Sequence, residues 1–144
     1  MNDPFNLSRF VEAQRPVFSR VMDELRAGRK TSHWMWFVFP QLKGLGISET
    51  AMRFGITDRG EARAYLEHSL LGPRLVECVQ ALLEHGDCSA LQILGSPDDL
   101  KLRSCLTLFN EVQAQTDLYQ RALDQFYGGK PDDRTIQLLF VPTE

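Results

Sequence analysis

The sequence predicts an all-α fold: a compact single domain spanning residues 1–144, with about eight short helices around one core. Three observations carry that expectation. Apolar residues recur at helical spacing along most of the chain. Ser and Asp residues of the capping type stand before those runs, and glycines close them. The one segment that could be a strand has only helical neighbours and nothing to pair with.

Leu7, Phe10, Val11, Gln14, Phe18, Val21, Met22 and Leu25 share one helix face, and the phase survives Pro16. This predicts one kinked helix or two nearly collinear ones joined at Pro16. Gly28 suits a left-handed stop, with Arg26, Arg29 and Lys30 at the negative end of the helix. The run Trp34-Met35-Trp36-Phe37-Val38-Phe39 is next, expected as a short helix started by Thr31 or Ser32 and closed by Pro40. After the Gly44-Leu45-Gly46 loop, Ser48 caps a short helix carrying Ala51, Met52 and Phe54 and stopped near Gly55. Asp58 caps Glu61 to Glu67, and Gly72-Pro73 opens a helix with Leu75, Val76, Val79, Leu82 and Leu83 inward, ended at Gly86. Ser89 opens a brief turn through Leu91 and Leu94.

Ser96-Pro97-Asp98-Asp99 is the cleanest start signal. It offers a Ser cap, Pro at the first helical position, and two acids at the positive end of the dipole. That helix should bury Leu102, Cys105, Leu106, Phe109 and Val112. Thr116 or Asp117 begins the next, with Leu118, Ala122, Leu123 and Phe126 inward and Gly128-Gly129 at its end. Asp132-Asp133 starts a last one through Leu138 and Leu139.

Composition narrows the function classes. A net charge of −3 argues against a general nucleic-acid binder, although Arg26, Arg29 and Lys30 form a local basic group. The longest apolar run, Trp34 to Phe39, is far too short to span a membrane. Met1-Asn2-Asp3-Pro4 lacks the basic and apolar regions of a secretory signal. Cys78, Cys88 and Cys105 are unevenly spaced, which points to reduced thiols rather than a disulfide framework. A soluble, cytoplasmic domain is the expectation. His33, His68 and His85 are scattered, no CxxC or HExxH occurs, and neither a metal nor a cofactor is expected.

The chemistry-bearing candidates fall in two segments. His33 heads the aromatic run, where a titratable imidazole meets an apolar wall. Trp34 and Trp36 are either core or the wall of a pocket, and Gln41 beyond Pro40 is a candidate amide reader of a ligand. In the second segment Lys101 lies on a helical wheel between Leu108 and Val112, while Arg103 shares a side with Asp99 and Thr107. Lys101 at such an edge either snorkels to water or anchors an anion from a cleft. Asp99 and Arg103 have the spacing of a solvated i,i+4 ion pair. The Gly44-Leu45-Gly46 element is no dinucleotide fingerprint, and a plain turn competes with an anion-binding loop beside Lys43.

These segments carry a resemblance. Asp3-Pro4-Phe5-Asn6-Leu7-Ser8-Arg9-Phe10, Ser32 to Gln41, Gly44-Leu45-Gly46, Glu61 to Leu66, Leu71 to Leu75, and Ser96 to Lys101 with Ser104 and Thr107-Leu108-Phe109 are the motifs concerned. The chain resembles, over nearly its whole length, the bacterial domain of unknown function numbered eighteen-ten. Leu102 departs from it where an aromatic is usual, and Cys105 and Leu106 where small and sulfur-bearing residues are usual. The resemblance implies a compact all-α domain and brings no mechanism. Members are sometimes labelled calpastatin, which implies a disordered, repeat-bearing inhibitor; this composition is globular, and the label does not fit.

Together these residues suggest a pocket for a small anionic, nucleotide-like ligand, with an ADP-ribose derivative as the favoured example by analogy with other small α-rich domains. Whether the pocket only binds or also hydrolyses its ligand is open. Trp34, Trp36, Gln41, Arg103 and Thr107 would hold the ligand, and His33, Asp99 and Lys101 would carry any hydrolysis. The alternatives are a protein-interaction module using the aromatic segment Trp34 to Phe39, and a purely structural role for these motifs.

Overall fold

The computed structural model describes residues 3–113 and 115–140, so part of the N-terminal stretch examined for a leader lies outside it. Ten α-helices are present among the described residues. The long first pattern divides at Pro16 into α1 (Ser8–Gln14) and α2 (Phe18–Ala27), and Gly28 closes α2 in the left-handed conformation at φ 73°. The aromatic run supplies α3 (Met35–Val38), a single turn. Two short helices follow, α4 (Glu49–Phe54) and α5 (Arg59–Glu67), capped by Ser48 and Asp58 as their sequences require. The larger elements are α6 (Leu71–Leu83), α8 (Asp98–Val112) and α9 (Leu118–Tyr127). Between them lies α7 (Ala90–Leu94), and α10 (Asp133–Leu139) is the last helix. The helix count exceeds the expected one because Pro16 divides the first pattern and the Ser89 turn is a true helix with a capping box.

Helix α8 is the central member. Leu102, Cys105, Leu106, Leu108 and Phe109 are all buried, and the helix packs against α5, α7, α9 and α10. Helix α6 forms a second layer against α2, α5 and α9. An aromatic chain runs through the core from Phe54 to Phe10, Tyr65, Phe109 and Tyr119, with successive ring centroids 5.7, 5.2, 5.4 and 6.1 Å apart. Gln14, which interrupts an otherwise apolar face, is buried because its amide donates to Tyr65 Oη at 3.1 Å and to the Phe37 carbonyl at 2.6 Å.

Several local expectations change. Ser96 does not cap α8: Pro97 occupies the capping position, and the Lys101 N–H bonds the Pro97 carbonyl at 3.2 Å. Neither Thr31 nor Ser32 caps α3, because both bind Glu24 and Trp34 takes the capping position. The segment after Pro40 does find a partner, a single parallel bridge between Leu42 and Ile56. It is fixed by Ile56 N–H to the Gln41 carbonyl at 2.9 Å and Lys43 N–H to the Ile56 carbonyl at 2.7 Å.

One charged knot holds the N-terminal half. Arg9 donates to the carbonyls of Phe5, Asn6, Arg53 and Gly55 and pairs with Glu61 at 2.7 Å, and Glu61 also accepts from Thr57. Every polar edge of this buried pair is engaged, the condition under which such a pair is tolerated.

At Gly72 the start of α6 presses on the end of α5: a Cβ there would stand 2.1 Å from the Leu66 carbonyl oxygen, which is backbone and cannot swing away. Gly72→Ala should therefore destabilise the domain by about 3 kcal/mol or more. Urea denaturation reads this directly, and a midpoint equal to wild type would show that the α5–α6 junction is looser than the geometry says.

Candidate functional site

The site grows from Glu24, near the end of α2. This nearly buried carboxylate accepts from the Thr31 N–H at 2.8 Å, the Ser32 N–H at 3.1 Å, the Ser32 hydroxyl at 2.6 Å and the Trp34 indole N–H at 2.9 Å. Burial pushes its pKa up. The four donors pull harder, those of the Ser32 hydroxyl and the Thr31 N–H foremost, and hold it at about 2. Glu24 thus shapes the turn that delivers the aromatic run. Trp34 goes into the core, 1 % exposed, and is no ligand platform. Trp36 stays half-buried at the edge.

A second carboxylate ties that edge to α8. Asp98 bridges two lysines, Lys30 at 2.9 Å through Oδ2 and Lys101 at 3.3 Å through Oδ1. Each ammonium also stands over an indole: Lys30 lies 5.1 Å from the Trp34 ring centroid and Lys101 lies 3.7 Å from that of Trp36. Lys101 therefore does not snorkel to bulk water. Nor does Lys30 serve mainly as a helix-end charge; its side chain is 8 % exposed and points to Asp98.

Trp36, Gln41, Lys101 and Arg134 line one cleft of about 300 Å³, with Ser104 and Asp132 alongside. The cleft lies where the α3–α4 connection, the first turns of α8 and the start of α10 meet. Gln41 is only 9 % exposed, yet its carboxamide makes no hydrogen bond among the described residues. Its carboxamide atoms still reach solvent, so a ligand in the cleft can take up their hydrogen bonds. Arg134 is exposed, and its guanidinium has one long contact, with the Gly44 carbonyl at 3.5 Å. Asp132 is engaged as the cap of α10, accepting from Thr135 N–H at 3.0 Å.

The other candidates stand behind or away from the cleft. His33 is exposed and does not line it. Asp99 does not line it either: its carbonyl accepts from the Tyr127 hydroxyl, and its Oδ1 is buried without a hydrogen-bond partner among the described residues. His33, Asp99 and Lys101 are thus not gathered at one point. Arg103 does not pair with Asp99 but donates to the Lys130 and Pro131 carbonyls, each at 2.9 Å. Thr107 donates to the Arg103 carbonyl at 2.8 Å and accepts the Asp132 N–H at 2.8 Å. Both residues fasten the α9–α10 connection and so place Asp132 and Arg134. Gly44-Leu45-Gly46 is a turn closing over Trp36, where a Cβ on Gly46 would meet Ala51 at 2.8 Å.

Larger hollows exist; one of about 530 Å³ is lined by Arg9, Lys43, Arg53 and Glu61, of which Arg9 and Glu61 are already engaged with each other. A second, of about 570 Å³, is lined chiefly by apolar groups such as Phe5, Leu7 and Val11, and its Asp3 carboxylate is engaged by the Leu7 and Ser8 N–H groups. Another of about 490 Å³ lies beside Lys43 and Arg59, whose guanidinium covers the Phe140 ring. Among the described residues no three His, Cys, Asp or Glu side chains gather for a metal, and no helix is long and apolar enough to cross a membrane.

The model of a protein family of unknown function, DUF1810, matches residues 4–139. The chain belongs to the DUF1810 family. A DUF1810 membership agrees with the resemblance carried by the sequence motifs and with an all-α domain. The fold is also that of a solved relative, the crystal structure of the conserved hypothetical protein Rv1873 from Mycobacterium tuberculosis. The two are 53% identical with a TM-score of 0.95, over 97% of this chain and 100% of the other. No curated protein matches. Leu102, Cys105 and Leu106 are all core.

Sequence alone missed Glu24, Arg134 and the bridging role of Asp98. The i,i+3 spacing of Asp98 and Lys101 was a signal for the last; Arg134 carried none, because only the fold of the α9–α10 connection brings it to the cleft.

Since the Glu24 carboxyl is held below its ordinary 4.5, its contribution to stability is complete above pH 4.5 and is lost as pH falls through about 2. Glu24→Gln should cost about 2 kcal/mol at neutral pH and flatten the fall in stability between pH 4.5 and 2. Denaturant titrations at pH 7 and pH 3 measure both, and an unchanged pH dependence would remove Glu24 from this role.

Proposed function

We propose that this protein is a binding domain for a small anionic, nucleotide-like ligand, held in the cleft between the α3–α4 connection, α8 and α10. The observation that carries this reading is convergence: Trp36 and Gln41, some sixty residues from Lys101 in sequence, line one cleft with it, and Arg134 joins them. Two cations, an aromatic edge and an unpartnered amide in one concavity are the elements such a ligand needs.

Binding is favoured over hydrolysis. The expected water-activating groups, His33 and Asp99, do not line the cleft, and the carboxylate that does, Asp132, caps α10. The volume of about 300 Å³ lies at the small end for ligand pockets. This favours the smaller members of the nucleotide-like class, with ADP-ribose as the larger comparator. The aromatic-segment docking alternative has less support, since Trp34, Met35, Val38 and Phe39 are core.

Thermal unfolding of the full chain with nucleoside mono- and diphosphates and ADP-ribose tests this reading. A ligand at a hundred times its Kd should add about 2.7 kcal/mol of stability. Lys101→Met and Arg134→Met should each weaken binding about tenfold or more, with less salt dependence than wild type. No shift with any of these phosphate compounds would overturn it.

A further inference from the structure

At the cleft wall the Gln41 carboxamide has no hydrogen-bond partner among the described residues. Its backbone is pinned by the Ile56 N–H at 2.9 Å, so the side chain leaves a fixed point and is nine-tenths buried at the cleft wall. A primary amide offers one acceptor and one donor side by side. Its natural partner is an edge with a donor beside an acceptor, and two parallel hydrogen bonds then fix the ligand's orientation. Adenine presents such an edge, an amino group next to a ring nitrogen, with which a Gln side chain pairs in this bidentate way, and uracil presents one in its ring N–H beside a carbonyl.

The remaining groups divide the work. The Trp36 ring has Lys101 3.7 Å above its centroid, so that face is not free for a stacked base. Recognition of a base would then come from its edge rather than from stacking. Lys101 and Arg134 supply positive charge for a phosphate. Lys30 and Asp98 do not line the cleft; they position Lys101, because Asp98 holds its ammonium at 3.3 Å and is itself held by Lys30 at 2.9 Å.

Resting on the reading of the cleft as an anion site, we infer that its ligand is a nucleoside 5′-monophosphate, the base edge read by Gln41 and the phosphate taken by Lys101 and Arg134. Gln41 is on this account the specificity residue of the site, and the two cations are not.

Calorimetric titration of the full chain with AMP, ribose 5-phosphate and UMP separates the parts. Wild type should bind AMP, UMP or both at least tenfold more tightly than ribose 5-phosphate. In Gln41→Met, close in size and without the amide, that advantage should vanish while the affinity for ribose 5-phosphate stays within twofold. If Gln41→Met does not fold, Gln41→Glu, which replaces the donor by an acceptor, should likewise abolish the preference. Equal wild-type affinity for all three compounds, or a preference that survives both substitutions, would overturn the base assignment while leaving the anion site standing. Failure of all three compounds to bind would overturn both.

Discussion

At the end of α2, the Glu24 carboxylate stands almost entirely out of water and accepts hydrogen bonds from two backbone N–H groups, a hydroxyl and an indole. An isolated carboxylate at such depth would be expensive. Four converging donors replace its hydration and make it the constraint on which the aromatic segment depends. Its donors fix the turn from Thr31 to Trp34, which decides that Trp34 enters the core and that Trp36, two positions on, remains at the edge. The same turn sets where Pro40 and Gln41 emerge, and the Leu42–Ile56 bridge then locks them.

Asp98 extends that order to α8. As an acid in the first turn it complements the helix dipole. As a bridge between Lys30 and Lys101 it also joins the chain just after α2 to the first turns of the central helix. The three charges are mostly shielded from water, so screening is weaker than for surface pairs. Removing one member would leave the others without compensation, which is more costly than the net worth of the network. Each lysine rests on an indole, which lowers the cost of holding its ammonium out of bulk water. The cleft is a consequence of this arrangement: two ordered walls, with α10 brought up as a third by the Arg103 and Thr107 bonds to the α9–α10 connection.

The close structural likeness to Rv1873 and the DUF1810 membership establish a shared architecture, and neither names a chemistry. Function on a small helical domain is therefore argued from the site. The distribution of satisfied and unsatisfied polar groups is informative here. Glu24 and Glu61 are buried and Arg9 half-buried, all with their bonds complete, as structural groups should be. The Gln41 carboxamide has no hydrogen-bond partner among the described residues, and Arg134 is barely engaged.

Local chemistry was enough to determine the helical class, the Ser48, Asp58 and Asp132 caps, the left-handed stop at Gly28, and the core faces of α6, α8 and α9. Each depends on groups within a turn or two, where spacing along the chain is also spacing in space. Sequence also marked Trp36, Gln41 and Lys101 as chemistry-bearing, but not which of their neighbours would join them. Tertiary structure decided that Trp34 is core and His33 is not part of the cleft, that Arg103 and Thr107 stand behind it, and that Lys30 and Asp98 hold Lys101 in place. Those outcomes depend on contacts between segments tens of residues apart. Side-chain periodicity reports which face of a helix is buried, and it says nothing about which other segment that face will meet.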